Sequence, residues 1–201
     1  FPNTDNSAII GRVHVGLMTG SPWTNAAGFS HIDHNGINSF SLVQTNAGAT
    51  RLNSVADQAI SFRIGNVPSM TLNSDKSLDV VGDITAFSSD KRLKTNIEVI
   101  ESPLEKINKL SGFTYHWNKE KCKEAGFKPK DEGQIGVFAQ DVQEVIPQAV
   151  KSAPFDRDSN GESKSGDNYL TVQYEKIIPL LIECIKEQQV QINELKNKIL
   201  L

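Results

Sequence analysis

The sequence predicts a mixed fold, in which an all-β N-terminal segment is followed by an α+β segment that ends in a long coiled-coil helix. Three observations predict it: a step in charge composition after residue 88, short alternating apolar runs before that step, and a heptad pattern near the C-terminus. We therefore expect two domains, residues 1–88 and 89–201, with the coiled-coil helix at about 175–201.

The charge composition differs on the two sides of Ser88. Residues 1–88 hold four Lys and Arg, six Asp and no Glu. Of the 21 basic and 24 acidic side chains in the 201-residue chain, 17 and 18 follow Ser88. Such a step in composition is typical of a boundary between domains that meet solvent differently.

The composition argues against nucleic acid or a membrane as partner. Basic residues are matched by acidic ones nearly one for one, so no stripe of one sign would follow a phosphate backbone. No apolar run approaches the roughly 18 residues that a membrane span needs. Cys122 and Cys184 lack the CxxC spacing of zinc or redox sites, and no cofactor is predicted.

Residues 1–88 are predicted to form short β-strands. Apolar and polar residues alternate at 12–15 and 60–64, which is the period of a half-buried strand. Large apolar residues are few, so one copy alone would bury only a small core. We therefore expect the strands to complete their core with copies of themselves, as in an intertwined homotrimeric fibre, although the sequence does not set the copy number.

Helix and strand signals follow one another after residue 101. A helix is predicted to begin after the cap residue Ser102, with Pro103 in its first position and Gly112 as its stop. The further predicted elements are a strand within 113–118, a strand and then a helix from about Asp141 to Pro147, and a strand within 168–174.

The final helix carries a heptad pattern. Its a and d positions, which step alternately by three and four, are Ile178, Leu181, Ile185, Gln188, Ile192, Leu195 and Ile199. Ile at a with Leu or Gln at d predicts a self-associating helix, in which Gln188 would set the register at a cost in stability. Polar residues such as Glu187 leave a narrow apolar stripe rather than a broad one. The alternative is an amphipathic helix packed only on its own domain.

The boundary between the two predicted domains contains a serine and a lysine five residues apart, Ser89 and Lys94. Lysine can serve a serine as general base only when its amine is neutral, which burial or a cationic neighbour such as Arg92 would promote. Taken alone the pair is common, and a solvated loop is the alternative.

Four segments in this order resemble one known family: "SSDKRLKTNI", "LEKINKLSGFTYHWN", "GQIGVFAQDVQEVIPQAV" and "YLTVQYEKIIPLLIECIKEQQVQINELK". They are similar to the intramolecular chaperone auto-processing domain, peptidase S74, which is found at the C-terminus of phage tailspikes, tail fibres and endosialidases and inside the myelin regulatory factor. The resemblance covers about 110 residues, and the S-D-x-R-x-K pattern is complete.

The resemblance implies a self-cleaving serine endopeptidase that acts once, in cis. It implies cleavage of the Ser88–Ser89 bond, with Ser89 as nucleophile, Lys94 as base, and Asp90 and Arg92 in support. Ser88 is a rival nucleophile, but its spacing to the lysine departs from the pattern.

In biological terms, the resemblance implies a chaperone that trimerises and folds a phage tail fibre and is then released in the host cytoplasm, while the fibre remains on the virion tail. The alternatives are a membrane-tethered transcription factor released by the same cut and an inert trimerisation module.

Two further patterns suggest binding sites. Asp156, Asp158, Asn160 and Asp167 occupy calcium-loop positions, with an exposed polar loop as the alternative. The β-segment is expected to bind a host cell-surface receptor, either a saccharide or a protein. Its candidate contact residues are the aromatics Trp23, Phe29 and Phe40, which could stack on sugar rings or could be core residues. No pair of carboxylates suited to glycoside hydrolysis is recognisable there, so binding is favoured over hydrolysis.

Overall fold

The structure is a computed structural model that describes residues 7–18, 26–36, 38–158 and 160–200. The chain divides into two units, residues 1–88 and 89–201. The first unit consists of β-sheets, and the second combines short strands with helices, the last of which is long. The predicted mixed fold class is confirmed at this level.

The first unit contains two antiparallel sheets. The five-stranded sheet has the order β1 (Ala8–Ile10), β2 (Val13–Met18), β3 (Ala26–His31), β4 (Leu42–Gln44), β5 (Thr50–Leu52). The three-stranded sheet has the order β6 (Ile60–Ile64), β7 (Val67–Leu72), β8 (Leu78–Val80). Each strand pairs with its neighbour in sequence, as short connecting turns allow.

The five-stranded sheet buries one face and exposes apolar residues on the other. Ala26, Phe40 and Val43 form its buried cluster. On the opposite face, an apolar row crosses all five strands in register: Ala8, Val15, Phe29, Leu42 and Leu52. The last four of these are 39 to 54% exposed, so a single copy leaves this row to solvent. An exposed contiguous apolar patch of this kind is typical of an interaction surface.

The second unit has two two-stranded sheets and four helices in its described residues. The strands pair as β9 (Phe113–Tyr115) with β10 (Gln134–Gly136) and β11 (Val150–Ser152) with β12 (Leu170–Val172). The helices are α1 (Pro103–Ile107), α2 (Lys119–Glu124), α3 (Ala139–Val145) and α4 (Ile178–Ile199). The core is built where α3, β11, β12 and the start of α4 meet, from Val142, Ala149, Val150 and Ile177.

The predicted helix limits need correction at three places. α1 ends at Ile107 rather than Gly112, because the chain turns there and Leu110 packs against the core. Ser102 lies at the N-cap but has φ +46° and forms no side-chain cap, so it does not act as predicted. α3 begins at Ala139, two residues before the predicted start, and ends before Pro147 as expected.

α4 presents two faces with different environments. Leu180 and Cys184 are buried against α1, at 0% and 5% exposure. The apolar heptad positions, which we call the seam, are exposed: Ile178, Leu181, Ile185, Ile192, Leu195 and Ile199. The alternative of a helix packed on its own domain therefore accounts for one face, while the seam has no cover in the single chain. Among the described residues, no helix is long and apolar enough to cross a bilayer.

Candidate functional site

A single turn of 3₁₀-helix, Lys91–Leu93, shapes the boundary segment. The Asp90 carboxylate caps this turn by accepting a hydrogen bond from the Arg92 amide at 2.9 Å. The Lys94 amide donates to the Lys91 carbonyl at 3.1 Å and closes the turn. The turn shortens the path between residues 89 and 94, so their side chains lie on the same side of the segment.

The structure brings Ser89 and Lys94 into direct contact. Lys94 Nζ lies 2.6 Å from Ser89 Oγ, which is hydrogen-bonding distance. Both residues are exposed in the single chain. The pair therefore has the geometry of a nucleophile and its base, but not yet the desolvated surroundings that favour a neutral lysine.

Asp90 and Arg92 form a two-pronged ion pair beside this contact. Arg92 Nη2 lies 2.7 Å from Asp90 Oδ2, and its Nε donates to both carboxylate oxygens. The bond from Arg92 lowers the pKa of Asp90, and the carboxylate raises the pKa of the Arg92 guanidinium. Because the Arg92 charge is offset by Asp90, this arginine is better suited to holding the turn than to destabilising charge on Lys94.

The arrangement can support an intramolecular acyl shift. Ser89 Oγ belongs to the residue that directly follows the Ser88 carbonyl, so attack on that carbonyl closes a five-membered ring. The lysine that donates to Oγ when charged would accept the hydroxyl proton through the same contact when neutral. The Ser88–Ser89 C–N bond then breaks, the amine takes a proton, and water hydrolyses the resulting ester.

The chain after Lys94 is weakly attached to its unit. Residues 95–101 make no hydrogen bond within the described part of the chain, and Ile97 and Val99 are 65% and 73% exposed. A groove of about 670 Å³ lies between residues 98–101 and residues 145–148. α1 is therefore the first regular element to hold the chain after the site.

The predicted calcium-loop residues serve the hydrogen bonding of their own loop. Asp156 is fully buried and accepts hydrogen bonds from Ser163 Oγ and from the amides of Ser165 and Tyr169. These bonds, that of Ser163 first, lower the pKa of Asp156 to about 2.

The other aspartates of the pattern differ from each other. Asp158 accepts from the amides of Asn160 and Glu162, and Asp167 is exposed. In the part of the chain that the structure describes, no group of three or more His, Cys, Asp or Glu is placed to hold a metal ion.

The three aromatic candidates for receptor contact have different outcomes. Trp23 lies outside the described residues. Phe40 is 5% exposed and belongs to the buried cluster of the five-stranded sheet, so it is a core residue. Phe29 is 48% exposed on the apolar row, where it is available for contact.

One contact between distant segments was not foreseen from the sequence. The carboxylate of Glu187, in α4, accepts a hydrogen bond from the Leu104 amide of α1 at 3.3 Å. The sequence shows Glu187 only as a polar neighbour of the heptad. Its position three residues after the buried Cys184 is the signal that links it to the packed face of α4.

Comparison with known proteins identifies relatives for the second unit. Residues 89–151 match the family model described as Chaperone of endosialidase, and the match begins at Ser89. The Long tail fiber protein Gp37 of Enterobacteria phage K3 is 34% identical over 112 residues, which are 56% of this chain and 8% of that protein. Gp37 of Enterobacteria phage T2 is 34% identical over 112 residues, 56% of this chain and 7% of that protein.

A relative of a different kind is the Myelin gene regulatory factor-like A of Dictyostelium discoideum, which is 29% identical over 132 residues, 62% of this chain and 14% of that protein. The chain spans less than a tenth of the length of the two tail fibre proteins.

Proposed function

We propose that the chain is part of a bacteriophage tail fibre whose second unit assembles the first and then cuts itself off, because residues 89–151 match the family model described as Chaperone of endosialidase. The cut falls at the Ser88–Ser89 bond, with Ser89 as nucleophile and Lys94 as general base. The observation that supports this most directly is the 2.6 Å contact between Lys94 Nζ and Ser89 Oγ.

Assembly proceeds through three copies of the chain. The exposed seam of α4 pairs with the same seam on two other copies, because an apolar heptad stripe gains stability only when partner helices bury it. A local helix forms faster than long-range strand pairing, so the associated helices hold the β-units together while their strands pair. The apolar row of the five-stranded sheet supplies a surface for that pairing.

Cleavage follows assembly. In the single chain both Ser89 and Lys94 are exposed to solvent. Neighbouring copies that cover the boundary segment would desolvate Lys94 and favour the neutral amine that can accept a proton. The reaction therefore runs once, after the copies have met.

The fates of the two units differ after the cut. The trimeric β-unit stays on the virion tail and binds a cell-surface saccharide or protein of the host. The second unit leaves in the host cytoplasm. The fibre then persists without it because interlocked strands separate slowly.

Denaturing gels of four variants test the cleavage. The wild type should yield pieces of 88 and 113 residues, and Ser89→Ala and Lys94→Ala should remain intact. Ser88→Ala tests the rival nucleophile, and Lys91→Ala is the matched control, since this exposed lysine lies on the same turn. Both controls should be cut. Normal processing of Ser89→Ala or Lys94→Ala would refute the assignment.

A second candidate is the self-cleaving domain of a membrane-tethered transcription factor, which the similarity to the myelin regulatory factor-like protein favours. The first unit is weakly charged and contains no Glu, and it lacks the excess of basic residues that a DNA-binding unit needs, which favours the fibre. Binding of the released first unit to a glycan array, compared with binding to duplex DNA, separates the two. An inert trimerisation module would appear in mass spectra only as the intact chain of 22.1 kDa.

A further inference from the structure

We propose that Glu187 is a positioning residue for the cleavage, because it ties the self-association helix α4 to the short helix that anchors the reacting segment. This inference rests on the proposed cleavage at Ser88–Ser89. Glu187, nearly one hundred positions away in sequence, would thus take part in the reaction of Ser89 and Lys94.

The first observation is that α1 has no cap of its own. Ser102 stands at its N-cap with φ +46° and ψ 51°, and its side chain makes no capping hydrogen bond. A helix start without a cap leaves amide donors unsatisfied. Glu187 supplies the missing acceptor to the Leu104 amide from across the unit, and its negative charge suits the start of a helix.

The second observation is that Glu187 belongs to a continuous contact between the two helices. Cys184, one turn earlier on α4, donates its thiol proton to the Pro103 carbonyl at 3.1 Å. Burial raises the pKa of this thiol, so it keeps the proton that the bond needs. Leu180, Cys184 and Glu187 follow the i, i+4, i+7 spacing of one helix face, and Leu180 is fully buried. Two adjacent residues of α1 are thereby held by one face of α4.

The third observation concerns the path from this contact to the reacting residues. Between Lys94 and Ser102 the chain makes no hydrogen bond within the described residues, and an open groove borders residues 98–101. The bonds at Pro103 and Leu104 are therefore the first hydrogen bonds after the site that join the chain to another element of the unit. If they are lost, the segment that carries Ser89 and Lys94 gains freedom, and the fraction of time spent in the reactive arrangement falls.

The fourth observation is that the seam and the contact with α1 share one helix. Leu181 and Ile185, which are exposed, alternate with the buried Leu180 and Cys184 along the same two turns. Association through the seam stabilises these turns and with them the acceptor for Leu104. Glu187 does not lie on the seam, but assembly through the seam stabilises its bond to Leu104 and so restrains the reacting segment.

The test compares cleavage and assembly in the full chain. Glu187→Ala removes the acceptor, Glu187→Gln keeps an amide oxygen in the same place, and Glu194→Ala is the matched control. Glu194 lies one heptad later and is exposed, and its side chain makes no hydrogen bond or ion pair within the described part of the chain. Cleavage is followed over time on denaturing gels, and trimer content is measured by sedimentation in a Ser89→Ala background that keeps the chains intact.

We expect Glu187→Ala to be cut about tenfold more slowly than the wild type, which is the effect of losing one charge-assisted hydrogen bond. Glu187→Gln should be cut within about threefold of the wild-type rate, because a neutral acceptor recovers most of that bond. Glu194→Ala should match the wild type. In the Ser89→Ala background all three should sediment as the Ser89→Ala parent does, which a residue needed only for assembly would not allow.

Four results would overturn the inference. Glu187→Ala could be cut as fast as Glu194→Ala, its slow cleavage could be matched by an equal loss of trimer, or Glu187→Gln could be as slow as Glu187→Ala. An uncut wild type would instead refute the proposed cleavage, and the role of Glu187 with it. If the alanine variant does not fold by circular dichroism, Glu187→Met keeps the side-chain length without an oxygen acceptor and repeats the comparison.

Discussion

Two adjacent leucines of α4 should respond differently to substitution by alanine: the stability cost should depend on protein concentration at one position and not at the other. Leu180 is fully buried against its own unit, whereas Leu181 is 43% exposed on the seam. The substitutions Leu180→Ala and Leu181→Ala remove the same atoms from neighbouring positions of one helix. Any difference between them therefore reports the surroundings of each side chain rather than helix propensity.

The expected magnitudes follow from burial. A fully buried Leu→Ala change leaves a cavity and costs about 3 kcal/mol, within the usual 2 to 5. For a unit of 113 residues this lowers the melting temperature by roughly 12 °C, at about 4 °C per kcal/mol. Leu181→Ala should cost less than about 0.5 kcal/mol in an isolated copy. In the proposed trimer it would remove three buried side chains, so its cost should appear as weaker association.

Thermal unfolding followed by far-UV circular dichroism tests this, with both variants in a Ser89→Ala background and at two widely separated protein concentrations. Leu180→Ala should be less stable by a similar amount at both concentrations. Leu181→Ala should approach the parent at the concentration where chains are separate and fall behind it where they assemble, because association stabilises by mass action. Equal, concentration-independent losses for the two variants would show that the seam does not pair with other copies.

Two further predictions concern the second unit. The pKa of Asp156 is lowered from 3.8 to about 2, so its stabilising effect is complete above pH ~4 and is lost as pH falls towards 2. Asp156→Asn should flatten acid unfolding in this window, as measured by fluorescence, and an unchanged acid transition would contradict it. Gly136→Ala would place Cβ 2.8 Å from the Tyr174 hydroxyl, which accepts a hydrogen bond from the Val137 amide. This change should lower the free energy of unfolding in urea by about 1 kcal/mol. Gly133→Ala is the control and should lower it less, because its Cβ would have no atom nearer than 3.5 Å.

The sequence predicted those elements of the fold whose limits depend on local chemistry. Pro103 begins α1 and Pro147 follows the end of α3, because proline restricts the backbone wherever it stands. α2 was not predicted, since Lys119–Glu124 is almost wholly charged and has no apolar period to mark it. Its one local signal is its cap, the Asn118 side chain, which accepts a hydrogen bond from the Lys121 amide.

The local contacts of the candidate site could be predicted from the sequence, whereas its long-range contacts could not. The approach of Ser89 and Lys94 depends on one short turn, so a local pattern of residues contains the information needed to expect it. The bond from Leu104 to Glu187 joins residues 83 apart, and no local pattern contains it. The heptad likewise showed the seam of α4 but concealed its packed face, because Leu180 and Cys184 become distinctive only once α1 is in place.

The two faces of α4 restrict how the length of this helix can change. The first ten residues of α4 contribute both to the face that packs on α1 and to the seam, which lies about a quarter turn away. The residues after Gln188 contribute only to the seam. Inserting one residue after Gln188 would rotate the later seam by about 100° and separate it from the earlier part. Inserting seven would restore the alignment and leave the contact with α1 untouched. Length differences among such helices should therefore be multiples of seven and fall in the last three turns.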